Sequence, residues 1–183
     1  DGAAYGKLDF SKYMEQFISD RFVDFEIKVD KADGLKIPVS AVTDKNFYLI
    51  PLEYMTQGGD SSEDGFYKEV YTENGAPIVF VPTTVYYSDD EFYYVDMGKE
   101  NGFKAGDYVV RPESSDRYQI GRTASLKGVY NINKGYTIFK QIDILDSNSE
   151  YYTVRKNMKY GLSVYDHIVL DASMVEEGQL LYQ

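Results

Sequence analysis

Two nine-residue stretches, 59 positions apart, decide the fold of this chain. They read GFKAGDYVV at 102–110 and GLSVYDHIV at 161–169. Each holds a glycine, an apolar residue, three variable residues, an aspartate, one further variable residue and two β-branched residues. The pair predicts that a hairpin, a glycine-led turn and a final strand occur twice. Two copies are too few for a repeat array, so convergent turn chemistry is the alternative. A repeated unit favours a scaffold, because catalysis needs unlike residues that converge at one point.

The similarity extends upstream at the same spacing. The matched pairs are Val95 with Val154, residues 92–94 with 151–153, and residues 89–91 with 148–150. Within the turns we expect Gly102 and Gly161 to adopt positive φ angles, which glycine tolerates best. We expect Asp107 and Asp166 to accept hydrogen bonds from nearby backbone N–H groups, as aspartate does in turns. These four residues are the predicted structural turn positions.

Hydrophobic periodicity predicts a mainly β fold. Residues 9–20 have the one convincing helical pattern, and residues 22–29 then alternate as a half-buried strand does. Asn74-Gly75 is a strong hairpin-turn signal. Further short strands are predicted at 39–42, 47–50, 66–72, 76–81, 83–87, 92–95, 128–132, 136–145 and 150–154. We therefore predict an all-β protein with one short N-terminal helix and two small β-barrel-like units.

The same pattern divides the chain into three segments. Residues 1–33 form a lead-in helix and strand, residues 34–114 a β-barrel-like unit, and residues 115–183 a second β unit. A chain of 183 residues can bury a core without a disulfide or a metal, and this one contains no cysteine.

Composition excludes several classes of partner. The net charge is −11, with 30 acidic and 19 basic side chains, so neither nucleic acid nor an anionic membrane surface is an expected partner. No apolar run approaches the length of a membrane helix, and no signal peptide is recognisable. The 19 tyrosines suit half-exposed strands. A platform that stacks sugar rings is the functional alternative, with Tyr86, Tyr93 and Tyr94 as candidate surface residues.

No motif identifies a catalytic or metal site. Residues 60–65 resemble the first half of a calcium loop, but Lys68 and Tyr71 occupy positions where the second half needs ligands. His167, the single histidine, occupies a slot that holds Tyr108 in the other copy, which favours a strand surface over a catalytic base. We predict no catalytic residue, no metal and no cofactor. A pair of acidic side chains that meet in space is the one catalytic arrangement left open.

Several segments resemble the periplasmic adaptor proteins, or membrane fusion proteins, of the HlyD type. GLKIPVSAV at 34–42 is similar to the segment that connects the β-barrel to the membrane-proximal part in that family. The stretches at 102–110 and 161–169 resemble its closing motif, Gly-Leu-x-x-Gly-Asp-x-Val-Val, with Tyr165 in place of the second glycine. LKGVYNINKG at 126–135 resembles its Gly-Val-Tyr hairpin. The C-terminal half looks like an adaptor-like group of Gram-positive bacteria.

The resemblance covers roughly residues 20–183 and implies a non-catalytic, extracytoplasmic adaptor of an export or efflux system. In that case residues 115–183 are its membrane-proximal unit. The implied partners are a membrane permease or ATP-binding-cassette transporter and other copies of the chain. A membrane anchor is expected upstream of this sequence, which lacks the lipoyl-type domain and the long helical hairpin of full adaptors. The alternatives are a cell-wall or carbohydrate-binding β module and an enzyme of unrecognised type.

Overall fold

The structure is a computed structural model that describes residue 7 and residues 33–58, 62–73, 75–97 and 102–181. The chain divides into two compact units, Asp1–Lys31 and Ala32–Gln183, and every element named below belongs to the second. The predicted helix at 9–20 and strand at 22–29 lie outside the described residues. Within the described part, none of the helices has the length and apolar character needed to span a membrane.

Thirteen β-strands make up the described fold. They are β1 Leu35–Pro38, β2 Val42–Pro51, β3 Met55–Gln57, β4 Asp64–Glu69, β5 Ile78–Pro82, β6 Val85–Ser88, β7 Phe92–Val95, β8 Tyr108–Val110, β9 Arg117–Gln119, β10 Thr123–Asn133, β11 Tyr136–Gln141, β12 Ile144–Ser147 and β13 Tyr151–Val154. Short 3-10 helices occur at Val39–Ala41, Leu52–Tyr54 and Ala172–Met174, and the described residues contain no α-helix. The predicted all-β class is confirmed.

The strands form three antiparallel sheets. Their orders are β1-β13-β12, β11-β10-β2-β7-β6 and β3-β4-β8-β9, and β5 pairs with β4 in the third sheet. In the second sheet the end strands β6 and β11 approach each other, so the sheet curls in the manner of a barrel. The curl encloses a buried cluster of Phe47, Tyr86 and Phe139.

The fold consists of two copies of one β motif, and one copy is inserted into the other. The inserted repeat comprises residues 48–57, 64–73, 75–97 and 102–110, and the split repeat comprises residues 35–44 and 127–169. Each begins with a strand that ends in proline, a 3-10 turn and a second strand. The start of β2 is the second strand of the split repeat, and the end of β2 is the first strand of the inserted repeat. One continuous strand therefore links the two copies.

Strand register is the same in both repeats. Each of four antiparallel residue pairs in the split repeat has a counterpart in the inserted repeat. The counterparts are Pro51–Phe92 for Pro38–Tyr151, Thr56–Gly65 for Thr43–Gly128, Tyr67–Phe80 for Tyr130–Phe139, and Lys68–Val109 for Asn131–Ile168. The hairpins β12–β13 and β6–β7 also share a shift of register at the same point. This agreement extends the similarity beyond the two stretches in which it is visible in the sequence.

Each repeat has its own core, built from equivalent positions. The split repeat buries Ile37, Ala41, Val129, Val154 and Leu162. The corresponding residues of the inserted repeat are Ile50, Tyr54, Phe66, Val95 and Phe103. Burying a large apolar side chain contributes roughly 1.5–3 kcal/mol, so each core provides a substantial part of the stability of its repeat.

Prolines end the first strand of each repeat. Pro38 and Pro51 have φ angles of −61° and −57°, and neither can donate a backbone hydrogen bond to a neighbouring strand. The chain then tightens into a 3-10 turn. The predicted strand at 39–42 is therefore wrong, since Val39–Ala41 is the turn of the split repeat.

The predicted strand at 136–145 is also wrong in its extent. β11 ends at Gln141, and β12 begins at Ile144 in a different sheet. Ile142, between them, is buried in the core of the split repeat, and its N–H donates to the Lys127 carbonyl at 3.0 Å. Ile142 is therefore held in place at the point where the chain leaves one sheet and enters the next.

Hydrogen bonds join strands on opposite sides of the predicted boundary between residues 114 and 115. That boundary falls between β8 and β9, which pair with each other. Strands from its two sides also pair in the other sheets, β1 with β13 and β2 with β10. The segments 34–114 and 115–183 therefore share all three sheets, because the two repeats are nested and not consecutive.

Candidate functional site

The two glycine-led stretches form equivalent corner loops. Asp107 accepts a hydrogen bond from the Lys104 N–H at 2.7 Å, and Asp166 accepts one from the Ser163 N–H at 2.8 Å. The N–H of each aspartate donates in return to the carbonyl of the same partner. Each carboxylate therefore holds a tight turn closed, which is a common role for aspartate in turns.

A positive φ angle falls at the fifth residue of each corner loop. Gly106 has a φ of 93° and Tyr165 a φ of 74°. The prediction of a positive φ at Gly161 is therefore wrong. Gly161 is required for space, because a Cβ there would lie 2.9 Å from the Met158 Cβ.

Charge distinguishes the two corner loops. In the inserted repeat, the Lys68 Nζ lies 2.6 Å from the Asp107 carboxylate and donates to the Gly102 carbonyl at 2.9 Å. The equivalent of Lys68 in the split repeat is Asn131, whose Nδ2 donates to the His167 carbonyl at 3.0 Å. The His167 side chain itself is exposed. Both bonds tie a hairpin to its corner loop, one through a charge and one through an amide.

Where the repeats meet, Lys45 lies between two carboxylates and three aromatic rings. Its Nζ is 2.9 Å from Asp96 and also pairs with Glu177. The ring centres of Tyr86, Phe47 and Phe139 lie 4.4, 5.2 and 5.8 Å from the same nitrogen, within the range of a cation–π interaction. We call this group the junction cluster: Lys45, Phe47, Tyr86, Asp96, Phe139 and Glu177.

The junction cluster joins separate parts of the chain. Lys45 is on β2, Tyr86 on the inserted repeat and Phe139 on the split repeat. Glu177 lies in residues 175–181, which we call the C-terminal segment. The Tyr86 hydroxyl donates to Glu177 at 2.7 Å. Burial, and then this bond to Glu177, raises the pKa of Tyr86 above its usual value. Because the lysine and both carboxylates are paired, the cluster acts as a clamp between the repeats and the C-terminal segment.

An open pocket of about 460 Å³ lies beside the junction cluster. Its lining includes Tyr86, Asp96, Thr137 and Glu177. Both carboxylates already pair with Lys45, so the geometry favours a structural role for them. In the ranges that the structure describes, no group of three or more His, Cys, Asp or Glu side chains could hold a metal ion. Gly65, the last residue of the calcium-like stretch, is a buried residue of β4.

The structure separates the tyrosines that were candidates for a sugar-stacking platform. Tyr86 is buried, the Tyr94 hydroxyl donates to Asp89 at 3.0 Å, and Tyr93 packs against the core of the inserted repeat. The interpretation of Tyr86 as a surface residue is therefore wrong. Among the tyrosines that the structure describes, the exposed ones are Tyr71, Tyr136, Tyr151 and Tyr165.

Most of the large apolar side chains that are exposed in the described part of the chain fall in two stretches. The first is at the far end of the β4–β5 hairpin and comprises Val70, Tyr71, Ile78 and Val79. The second lies within residues 164–174 and comprises Val164, Tyr165, Leu170 and Met174. A contiguous exposed apolar surface is typical of sites that contact other proteins.

Sequence reasoning missed the junction cluster. Its charged members Lys45, Asp96 and Glu177 are far apart in the chain and belong to no motif. One readable signal of the nesting was the second Ile-Pro pair, Ile50-Pro51, which repeats Ile37-Pro38. Comparison with known proteins identifies no relative, since no family model, no curated protein and no solved structure matches this chain.

Proposed function

We propose that this chain is a non-catalytic structural module of an extracytoplasmic adaptor that serves a membrane export or efflux permease. The observation that carries the proposal is the nested pair of β repeats joined by β2. In adaptors of the HlyD type, the segment similar to residues 34–42 connects the β-barrel to the membrane-proximal part. Here the same residues lie at the start of the split repeat and lead into β2, which continues into the inserted repeat.

The proposed mechanism is geometric. The junction cluster ties the two repeats and the C-terminal segment together through a lysine that is only 17% exposed. A module clamped in this way holds its two repeats in one arrangement, and it can position a permease relative to a neighbouring adaptor subunit. The exposed apolar residues within 164–174 offer a contact surface for the permease. No bond is made or broken in this role.

Affinity capture tests the proposal. The full-length protein, with whatever anchor precedes this sequence, is captured from membranes in mild detergent, and the bound proteins are identified by mass spectrometry. We expect a permease or ATPase subunit of a transporter among them. The control is the same anchor without residues 33–183. If no transporter subunit is recovered, or if the control recovers it equally, the proposal fails.

A cell-wall or carbohydrate-binding module is the second candidate, because Tyr71 and Tyr165 are 64% and 93% exposed. Exposed aromatic rings can stack on sugars. Binding to a glycan array or to peptidoglycan that is lost in Tyr71→Ala and Tyr165→Ala, but kept in Tyr86→Phe, would favour this candidate over the adaptor.

A further inference from the structure

The outer edge of β11 is covered by the chain itself. The Thr137 N–H donates to the Gln179 carbonyl at 3.0 Å, and the Gly178 N–H donates to the Thr137 carbonyl at 2.8 Å. Tyr136 forms an antiparallel bridge with Leu180. The C-terminal residues therefore add a strand-like cover to the open edge of the split repeat.

In the part of the chain that the structure describes, the equivalent edge of the inserted repeat, on β5, has no covering segment. β5 pairs only with β4 among the described strands. The Val70 N–H donates to the Pro77 carbonyl, and the Thr83 N–H donates to the Asp64 carbonyl. Because the backbone groups of alternate residues face one neighbour, those of residues 77, 79, 81 and 83 face β4.

The N–H and C=O groups of Ile78 and Phe80 consequently point away from β4. No described residue forms a hydrogen bond with them. The Ile78 and Val79 side chains are 54% and 39% exposed. With respect to the described residues, this strand edge is therefore accessible along both its backbone and its side chains.

β5 also lacks the charges with which edge strands usually prevent pairing. Its sequence is IVFVP, and no charged residue stands between Glu73 and Asp89. Lysine, a short strand or a bulge commonly blocks such an edge, and proline does so in part. Here Pro82 removes one outward N–H, while Ile78 and Phe80 keep theirs.

We propose that β5 pairs antiparallel with β5 of a second copy of this chain, around a two-fold axis at Val79. Ile78 then lies opposite Phe80 of the partner subunit, and each N–H of these residues meets a carbonyl of the other strand. The Ala76 N–H meets the carbonyl of Pro82 of the partner subunit. The stretch can therefore pair with a copy of itself along most of its length. Pro82 is the only residue from 78 to 82 that has no N–H to donate at this edge.

Charge also favours a second copy at this edge. Two copies that each carry a net charge of −11 repel each other, and the uncharged stretch around β5 is where they can approach with least repulsion. One strand pair buries less surface than a standard interface of about 1,600 Å², so the dimer is weak and concentration-dependent. Added salt strengthens it by screening the repulsion. The proposal does not depend on the transport role.

Site-specific cross-linking tests the register. The chain has no cysteine, and Val79 would lie opposite its own copy in a non-hydrogen-bonded pair with Cα atoms about 4.5 Å apart, a distance that a disulfide spans. Val79→Cys should therefore form a covalent dimer under mild oxidation. Val164→Cys, which is also exposed but lies in a corner loop, is the control and should remain mostly monomeric. Equal cross-linking of both variants, or of neither, would overturn the proposal.

Sedimentation provides an independent readout. The weight-average mass of the wild-type chain should rise above that of the 21.0 kDa monomer as protein concentration increases, and more strongly in about 0.5 M salt than in about 0.05 M. Ile78→Lys should abolish the rise, whereas Val164→Lys, with the same change of charge, should not. A wild-type chain that stays monomeric throughout, as it would if the edge binds only some other partner, contradicts the proposal. So does association that survives Ile78→Lys. If Ile78→Lys fails to fold, the cysteine pair decides the question.

Discussion

At the scale of single residues, equivalent positions in the two repeats act as controls for one another. Gly65 and Gly128 occupy matching places in β4 and β10, each beneath an aromatic ring of the facing strand. A Cβ on Gly65 would lie 2.7 Å from the Phe80 Cζ, and one on Gly128 would lie 2.6 Å from the Phe139 Cε2. Real Cβ atoms do not approach other heavy atoms this closely, so close packing explains both glycines.

Replacing either glycine with alanine should therefore destabilise the fold by similar amounts. We expect Gly65→Ala and Gly128→Ala each to lower the free energy of unfolding by about 1–3 kcal/mol, the usual cost of overpacking. Gly121→Ala, where a Cβ would meet nothing within 4 Å, is the matched control and should change it by less than about 1 kcal/mol. Urea denaturation measures all three, and a Gly121→Ala cost equal to the others would refute the steric explanation.

Tyr165 is the opposite case, a large residue in a conformation that suits glycine. Its φ is 74°, and the equivalent residue of the inserted repeat is Gly106. The left-handed conformation costs a non-glycine residue about 1–2 kcal/mol, which exceeds the roughly 0.5–1 kcal/mol of backbone entropy that glycine loses. Tyr165→Gly should thus raise the melting temperature slightly, and Gly106→Ala should lower it. A Tyr165→Gly variant that melts earlier would mean that the ring itself contributes contacts.

The junction cluster predicts a loss of stability in alkali. The pKa of Tyr86 is raised in the folded chain, chiefly by burial. Above about pH 10 the unfolded chain releases this proton while the folded chain keeps it, so the free energy of unfolding falls as pH rises. Denaturation between about pH 8 and 11 should show this fall, and Tyr86→Phe should make it shallower. Tyr165→Phe, at an exposed ring, is the control; a slope that Tyr86→Phe leaves unchanged would contradict the assignment.

At the scale of elements, local patterns predicted more than long-range ones. Alternation and turn residues indicated hairpins near 92–95 and 151–154, and the structure has β7 and β13 there. Strand ends were less predictable, because Pro38 begins a turn and buried Ile142 redirects the chain only through contacts remote in sequence. The junction cluster could not be predicted from the sequence for the same reason. Its charges meet only after β2, the end of β7 and the C-terminal segment assemble.

The corner loops give a prediction at this scale. Asp107 holds its turn and also pairs with Lys68, with both side chains less than a quarter exposed. Asp166 makes the same turn bond from an exposed position. Asp166→Ala should cost about 1 kcal/mol for the lost hydrogen bond, and Asp107→Ala should cost more, because it leaves Lys68 partly buried without its partner. A double-mutant cycle with Lys68→Met measures the difference, and equal costs for both aspartates would contradict it.

At the scale of the whole molecule, the nested repeats explain why the chain does not divide into consecutive halves. The inserted repeat occupies the middle of the sequence, while the split repeat closes around it from both ends. The C-terminal segment then completes the split repeat by covering β11 and by supplying Glu177 to the junction cluster. The stability of the molecule should therefore depend on residues near its C-terminus.

Removing residues 175–183 should test that dependence. The truncation exposes the β11 edge and leaves Lys45 without Glu177, so we expect a lower urea midpoint and increased self-association. Glu177→Gln, which keeps the covering segment but removes the charge, should lower the midpoint without promoting association. If the truncated chain unfolds at the wild-type midpoint, the C-terminal segment is not part of the clamp.

The measurement that tests the nested duplication most directly is a set of cross-strand NOEs between backbone protons in solution. The structure predicts matched contacts in the two repeats: Ile37–Tyr152 with Ile50–Tyr93, Thr43–Gly128 with Thr56–Gly65, and Asn131–Ile168 with Lys68–Val109. Observing all three pairs supports two copies of one motif in the same register. If the contacts of one repeat are present while those of the other are missing or shifted by a residue, the duplication is contradicted.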